Sequence, residues 1–330
     1  PGMQLYQVKE KHAPVSAIDE LGRDVLPMVL SNDDQYLSNL EPGKYQGITK
    51  MHDLILDPGA AGELDQLHLF LRGWIFPTDA SINVAISQSD ALKLEFPVIQ
   101  VMNKKGHWQT IETEMSFPMG KDKTVIVDLR DKFLTSDHRL RIRTNMEIYW
   151  DEVFFADAEV APGLVTNMLQ VKSADLHYRG FSEMYRKGGR YGPHWFDYSE
   201  VVSGNKWRDL TGYYTRYGDV TQLLGASDNQ YIISNAGDET TITFDATSLP
   251  ELKEGWIRDF LIHSVGWVKD GDFNTAEGNT VHPLPYHGMP SYPFNEKVNS
   301  TDDPDIKEYH KVYNTRLVSQ KDFQNAIKPN

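Results

Sequence analysis

Cysteine is absent from the 330 residues. That excludes disulfides, thiolate zinc sites, iron–sulfur clusters and covalently attached c-type haem. Long apolar runs are missing as well: no stretch approaches the ~18 residues that span a bilayer, so membrane insertion is not expected. Positive charge is scarce, with 33 Lys and Arg against 47 Asp and Glu and a formal net charge of −14. Such a field repels phosphate backbones and anionic headgroups, which removes nucleic acid from the expected partners. The chain has no G-x-S-x-G elbow, Walker loop, dinucleotide fingerprint or H-E-x-x-H pair. Nucleotide and haem cofactors are therefore not expected, and a catalytic reading has no motif to stand on.

What is present is globular in composition, with 40% hydrophobic, 11% aromatic and 24% charged residues. The length points to two domains. A chain that begins at Pro1 and carries no thiol fits a mature protein freed of a signal peptide, so the expected location is secreted, periplasmic or cell-surface.

The pattern along the chain is mainly β, read as two jelly-roll-like β-sandwich domains with long loops. Residues 1–34 read as an N-terminal extension with one short helix over 15–30, broken at Pro27. Residues 35–157 form the first sandwich, with strands expected at 67–76, 82–87, 98–102, 124–129 and 139–155. Arg139, Arg141 and Arg143 alternate with Leu140 and Ile142, which marks a strand with one apolar and one cationic face. Residues 158–300 form a second β-rich domain with aromatic loops and strands at 231–234, 240–246 and 256–268. Residues 301–330 read as a charged tail. A weak internal echo links Phe70-Leu71 and Gly73-Trp74 to Phe260-Leu261 and Gly266-Trp267.

Two resemblances add to this. The run GHWQTIE, FPMGKDKTVIVDL and RLRIRTNMEIYWDEVFF over 106–155 resembles the closing half of a galactose-binding-like jelly roll, which implies a sandwich. Across 210–316, YYTRYGDVTQLL, YIISNAGDETTITFDA, GWIRDFLIHSVGWVKDGDFNT, VHPLPYHGMPSYPF and YNTR resemble the C-terminal region of bacterial FG-GAP/CRTAC-type proteins with an ASPIC/UnbV segment. That resemblance implies an extracytoplasmic protein beside a calcium-binding propeller used for adhesion or assembly. The repeated D-x-D-G-D-G motifs of such a propeller are absent here, so its adhesive role is not carried over.

Four constellations carry chemistry. Asp270, Asp272, Asn274 and Glu277 place hard oxygen ligands at near-alternate loop positions, which suits calcium; the competing reading is a solvated acidic turn. His282 and His287, in a proline-rich segment with Tyr286, have the donors of a metal or acid–base site, against a rigid loop that packs its own aromatic rings. His194, Trp195 and Tyr198 offer aromatic faces beside polar groups, as sugar rings require, against ordinary aromatic packing. The arginine stripe suits a carboxylated or sulfated ligand, against pairing with acids such as Asp128 or Asp131. Trp74, Trp108 and Trp150 are expected to fill the core.

The expected function is an extracytoplasmic, non-catalytic binding or assembly module for a glycan or protein partner, with Tyr286, His287, His194, Trp195 and Tyr198 as ligand contacts. Two alternatives stand beside it. One is a polysaccharide-active enzyme using His194, His282 or His287 with Asp side chains in a cleft, and the other is a structural subunit of a surface assembly or filament.

Overall fold

A computed structural model describes residues 5–63, 65–113, 115–120, 122–160, 164–204, 206, 208–269, 271–294, 303–326 and 328. It is mainly β, built of antiparallel sheets. The chain divides into two compact units: residues 1–164 with 184–196, and residues 165–183 with 197–330.

In the first unit the strands are β1 (Tyr6–Val8), β2 (Ser16–Asp19), β3 (Ile48–Asp57), β4 (Leu67–Ile75), β5 (Val98–Met102), β6 (Trp108–Glu112), β7 (Lys123–Asp128), β8 (Leu140–Met146) and β9 (Ile148–Val160). One sheet runs β2-β3-β8-β5-β6 and the other β1-β9-β4-β7. Period-two alternation sends Leu54, Leu56, Ile99, Val101, Leu140 and Ile142 from the first sheet and Leu67, Leu69, Leu71, Val125, Val127 and Phe155 from the second into one buried core. The expected run 139–155 is two strands, because Glu147 carries the chain from one sheet to the other. Its N–H donates to the Gly47 carbonyl, and its own carbonyl accepts from Phe76 N–H.

Three expectations need correction in this unit. Residues 82–87 lie in a helix, α1 (Ala80–Ser87), since the Asp79 carboxylate caps it by accepting from Ile82 N–H. The helix expected over 15–30 is instead β2 followed by a 3-10 turn at Leu26–Met28. There Asp19, only 3% exposed, accepts from Leu21 and Arg23 backbone N–H, the Arg23 guanidinium and the Asn39 amide. Residues 5–34 are thus part of the sandwich, supplying an edge strand to each sheet, with Val25 and Val29 in its core.

In β9, register shifts opposite Arg72 and Gly73, so Asp151 is an extra residue with no cross-strand mate. Gly73 lets the strands close at that bulge: a Cβ there would collide with the Tyr149 carbonyl oxygen and the Trp150 ring.

The second unit contains β10 (Val171–Tyr178), β13 (Gly212–Tyr214), β14 (Gly218–Asp219), β15 (Asp238–Phe244), α2 (Pro304–Tyr313) and β16 (Arg316–Val318). A hairpin of β11 (Phe181–Arg186) and β12 (His194–Val202) has its tip, 184–196, in the first unit and its base in the second. Sheets β14-β10-β15 and β13-β16 rest on two small apolar clusters, one with Leu176, Leu223 and Tyr309, the other with Tyr214, Ile233 and Val281. The expected tail is therefore structural in part: α2 buries Tyr309, and β16 pairs with β13. The strand at 231–234 does not form, and residues 256–268 form none either; Ile257, Ile262 and Val268 are each over 80% exposed. The echo with β4 fails for the same reason, since β4 is buried along its length.

Candidate functional site

On the outer face of the five-stranded sheet, alternation presents Asp53, Gln100, Trp108, Arg141 and Arg143. The arginines do not pair as expected. Asp128 is taken by Arg130, and Arg139, which precedes β8, pairs with Asp137 at 2.6 Å. Asp53, 6% exposed, instead accepts from Arg143 Nη1 at 2.9 and 3.0 Å and from Arg141 Nη1 at 3.3 Å. Arg141 also donates from Nε to Gln100 Oε1 at 2.7 Å and lies 4.9 Å above the Trp108 ring. Burial pulls its pKa down and Asp53 works against that. Arg141 is thereby immobilised, whereas Arg143 is 37% exposed and directs only Nη1 to Asp53.

Beside Arg143 the chain from 90 to 96 folds over the end of β8. Asn145 accepts from Glu95 N–H and donates to the Lys93 carbonyl, both at 2.8 Å, while Thr144 donates to the Glu95 carbonyl at 2.7 Å. These bonds hold the segment without a strand of its own. Between it and the sheet lies a groove of about 590 Å³ lined by Met51, Leu92, Phe96, Val98, Gln100 and Arg143, with Asp90, Lys93 and Glu95 on its rim. The groove is open to solvent, and its lining mixes apolar faces with amide and guanidinium donors.

The residues expected from sequence to bind ligand are dispersed. His194 and Trp195 belong to the first unit, and Trp195 stacks on Tyr185 with centroids 5.2 Å apart. Burial and the Arg186 charge hold the His194 pKa down. Tyr198, in the second unit, lies 5.0 Å beneath the Arg179 guanidinium. Tyr286 packs edge-on against Phe294, its hydroxyl buried with no partner among the described residues. His287 is tied by its N–H and Nδ1 to Asn229 Oδ1 at 2.8 and 3.1 Å. Tyr292 donates to the Pro283 carbonyl and Tyr231 to that of Pro285. Within 282–294, then, the aromatic rings pack the loop against itself.

In the acidic loop, Asp270 lies outside the described residues. Asp272 Oδ1 accepts from Asn274 N–H, Thr275 N–H reaches the Asp272 carbonyl, and Glu277 sits at a φ of 55°. The Arg208 guanidinium donates to the carbonyls of Gly271 and Gly278 and to Asn279 Oδ1. Among the described residues no three His, Asp or Glu side chains gather as a metal-binding group, and no helix is long and apolar enough to cross a membrane.

Fold and groove together define a mainly β, sandwich-containing protein with an open groove beside β8 in its first unit. No family model, curated protein or solved structure matches the chain significantly.

Proposed function

We propose that the protein is an extracytoplasmic, non-catalytic binding module whose first unit takes a glycan in the groove beside β8. The supporting observation is the lining: Phe96 and Met51, 52% and 37% exposed, supply apolar faces for sugar C–H groups, and Arg143 and Gln100 supply edge donors and acceptors. The wall bearing Phe96 is fixed by Asn145 and Thr144, so little ordering entropy is lost on binding. Calcium at Asp270, Asp272, Asn274 and Glu277 belongs to the same proposal as a separate structural ion, decided by metal analysis and a chelator melt.

A glycan microarray followed by calorimetry tests the reading. Binding by the wild type that falls at least about tenfold in Phe96→Ala and Arg143→Gln, with unchanged melting, supports it. Absence of glycan binding by the wild type, or full binding by both variants, overturns it.

Assembly on a protein partner is the second reading, and the exposed apolar segment 256–268 favours it. A larger species in light scattering that reverts to monomer in Ile257→Ser/Ile262→Ser is its expected signature. A monomer at all concentrations, with no partner retained, contradicts it.

A further inference from the structure

In a chain of net charge −14, basic groups are expected to find carboxylates close by. Some do: Arg316 pairs with Asp238, Arg179 with Glu239, and Arg72 with Asp122. The second unit gathers three basic groups that do not. Lys269, His282 and His310 lie together, and none forms an ion pair within 4 Å among the described residues. The two imidazole centroids are 6.2 Å apart. The Lys269 ammonium donates to the carbonyls of His282 and Val281 at 3.2 and 3.4 Å, which fixes it against the backbone that carries His282. Thr280 Oγ1 donates to the same His282 carbonyl at 2.6 Å, so the backbone carrying that ring is held from two sides.

His310 is oriented by a buried polar chain. Ile233 N–H donates to Thr215 Oγ1 at 2.8 Å, so the hydroxyl proton is left to donate to Asn314 Oδ1 at 3.1 Å. That turns Asn314 Nδ2 toward His310 Nδ1, 2.7 Å away. Thr215 is 0% and Asn314 7% exposed, so the relay is shielded from water. A neutral imidazole that accepts at Nδ1 carries its proton at Nε2. His310 thus keeps a donor free, the wrong tautomer for Nε2 metal ligation but the right one for gripping an anion.

The electrostatics agree with that geometry. Burial lowers the pKa of all three groups; beyond burial, Lys269 lowers His282, and His282 lowers His310. Facing them are Glu277, which acts on Lys269 and Tyr292 electrostatically, the Tyr292 ring 5.6 Å from the ammonium, and the Tyr309 ring 4.9 Å from His310. Trp267, 5.3 Å from Tyr292 and half exposed, stands at the rim.

We propose that Lys269, His282 and His310 form an oxyanion-binding site that takes a carboxylate, sulfate or phosphate group of a ligand. The site lies in the second unit and is independent of the groove beside β8. An anion here offsets the positive charge that Lys269 places on His282, so binding tightens as pH falls from 8 to 6 and His282 protonates, while His310 binds as the neutral Nε2–H donor.

The test is an NMR titration of the histidine imidazole resonances in the full chain with inorganic phosphate, sulfate and acetate in separate arms, each at constant ionic strength. The expected result is saturable shifts of His282 and His310, with the His282 titration midpoint raised in saturating anion. Stronger response to phosphate and sulfate identifies a tetrahedral group, and stronger response to acetate a carboxylate. Lys269→Met is expected to weaken binding at least about tenfold and Lys269→Arg to restore most of it. Thr215→Val, which cuts the relay, is expected to weaken binding less, and Lys253→Met is the neutral control. Unmoved His282 and His310 resonances in all three arms, or equal shifts in Lys269→Met with its fold intact by circular dichroism, overturn the site.

Discussion

The two units reach stability by different means. In the first, long strands alternate cleanly, and the two sheets enclose a continuous apolar core in which Leu56, Leu69, Leu71, Ile99, Leu140 and Phe155 are fully shielded. In the second, strands are short, apolar clusters are small, and the fold leans on buried polar anchors. Arg316 binds the Asp238 carboxylate, whose side chain is 1% exposed, while Thr215 holds Asn314 and Tyr309 donates to the Tyr231 carbonyl. A hydrophobic core tolerates adjustment and loses stability in proportion to the volume removed. A polar anchor loses most when one partner is deleted, because the other is left buried and unpaired.

The largest effect that sharpens this contrast is Phe155→Ala, expected to cost about 3–5 kcal/mol in the first unit and to shift its denaturant midpoint strongly. Somewhat smaller, and confined to the second unit, is Asp238→Ala. It strips acceptors from Arg316, Tyr217 and Asn235 and is expected to cost about 3 kcal/mol. Separate unfolding transitions followed by segment-specific hydrogen exchange check both. A Phe155→Ala effect spread evenly over the two units would break the comparison.

The first unit also buries polar anchors, Asp19 and Asp53 among them, but at one buried carboxyl the sign is opposite. Asp151, at the bulge in β9, is 1% exposed; among the described residues Oδ1 accepts only a long 3.4 Å bond from Asp33 N–H, and Oδ2 has no partner. Burial, with the charges of Asp34 and Asp33 added, raises its pKa to about 6, against the lowering effect of that hydrogen bond and of Arg72. A carboxyl raised above its unfolded value of 3.8 destabilises the fold at high pH, and the penalty fades as pH falls through 6 toward 4. Asp151→Asn is therefore expected to stabilise by about 1–3 kcal/mol at pH 8 and by little at pH 4. Melting of both proteins across that range tests it. The smallest effect expected is Tyr198→Ala, under about 0.5 kcal/mol, since that ring is 70% exposed.

The same contrast explains what was legible in the sequence. The strands β4, β5 and β8 announce themselves through alternation or β-branched content, because a sandwich core imposes period two on whatever lines it. The helix α1 is hidden because Ile82, Val84 and Ile86 look strand-like, although Asp79, three residues before Ile82, is a helix-capping signal. The 15–30 segment misled because its organiser is one buried carboxylate, Asp19, whose partners Arg23 and Asn39 make sense only in space. Residues 256–268 have a strong strand pattern but form no ladder among the described residues. Of the candidate sites, the arginine stripe was visible, and its true partner Asp53 was not. The groove stayed hidden because Met51, Phe96, Gln100 and Arg143 come from four separate segments. His282 stands out in the sequence within its proline-rich segment, whereas Lys269 and His310 join it only through the fold.

The most direct measurement is backbone amide shift mapping of the labelled protein with the best glycan from the microarray. The account predicts saturable shifts concentrated in residues 90–100, 141–145 and around Met51, with the glycan recovered unchanged. Shifts confined to other surfaces, or conversion of the glycan to product, would contradict it.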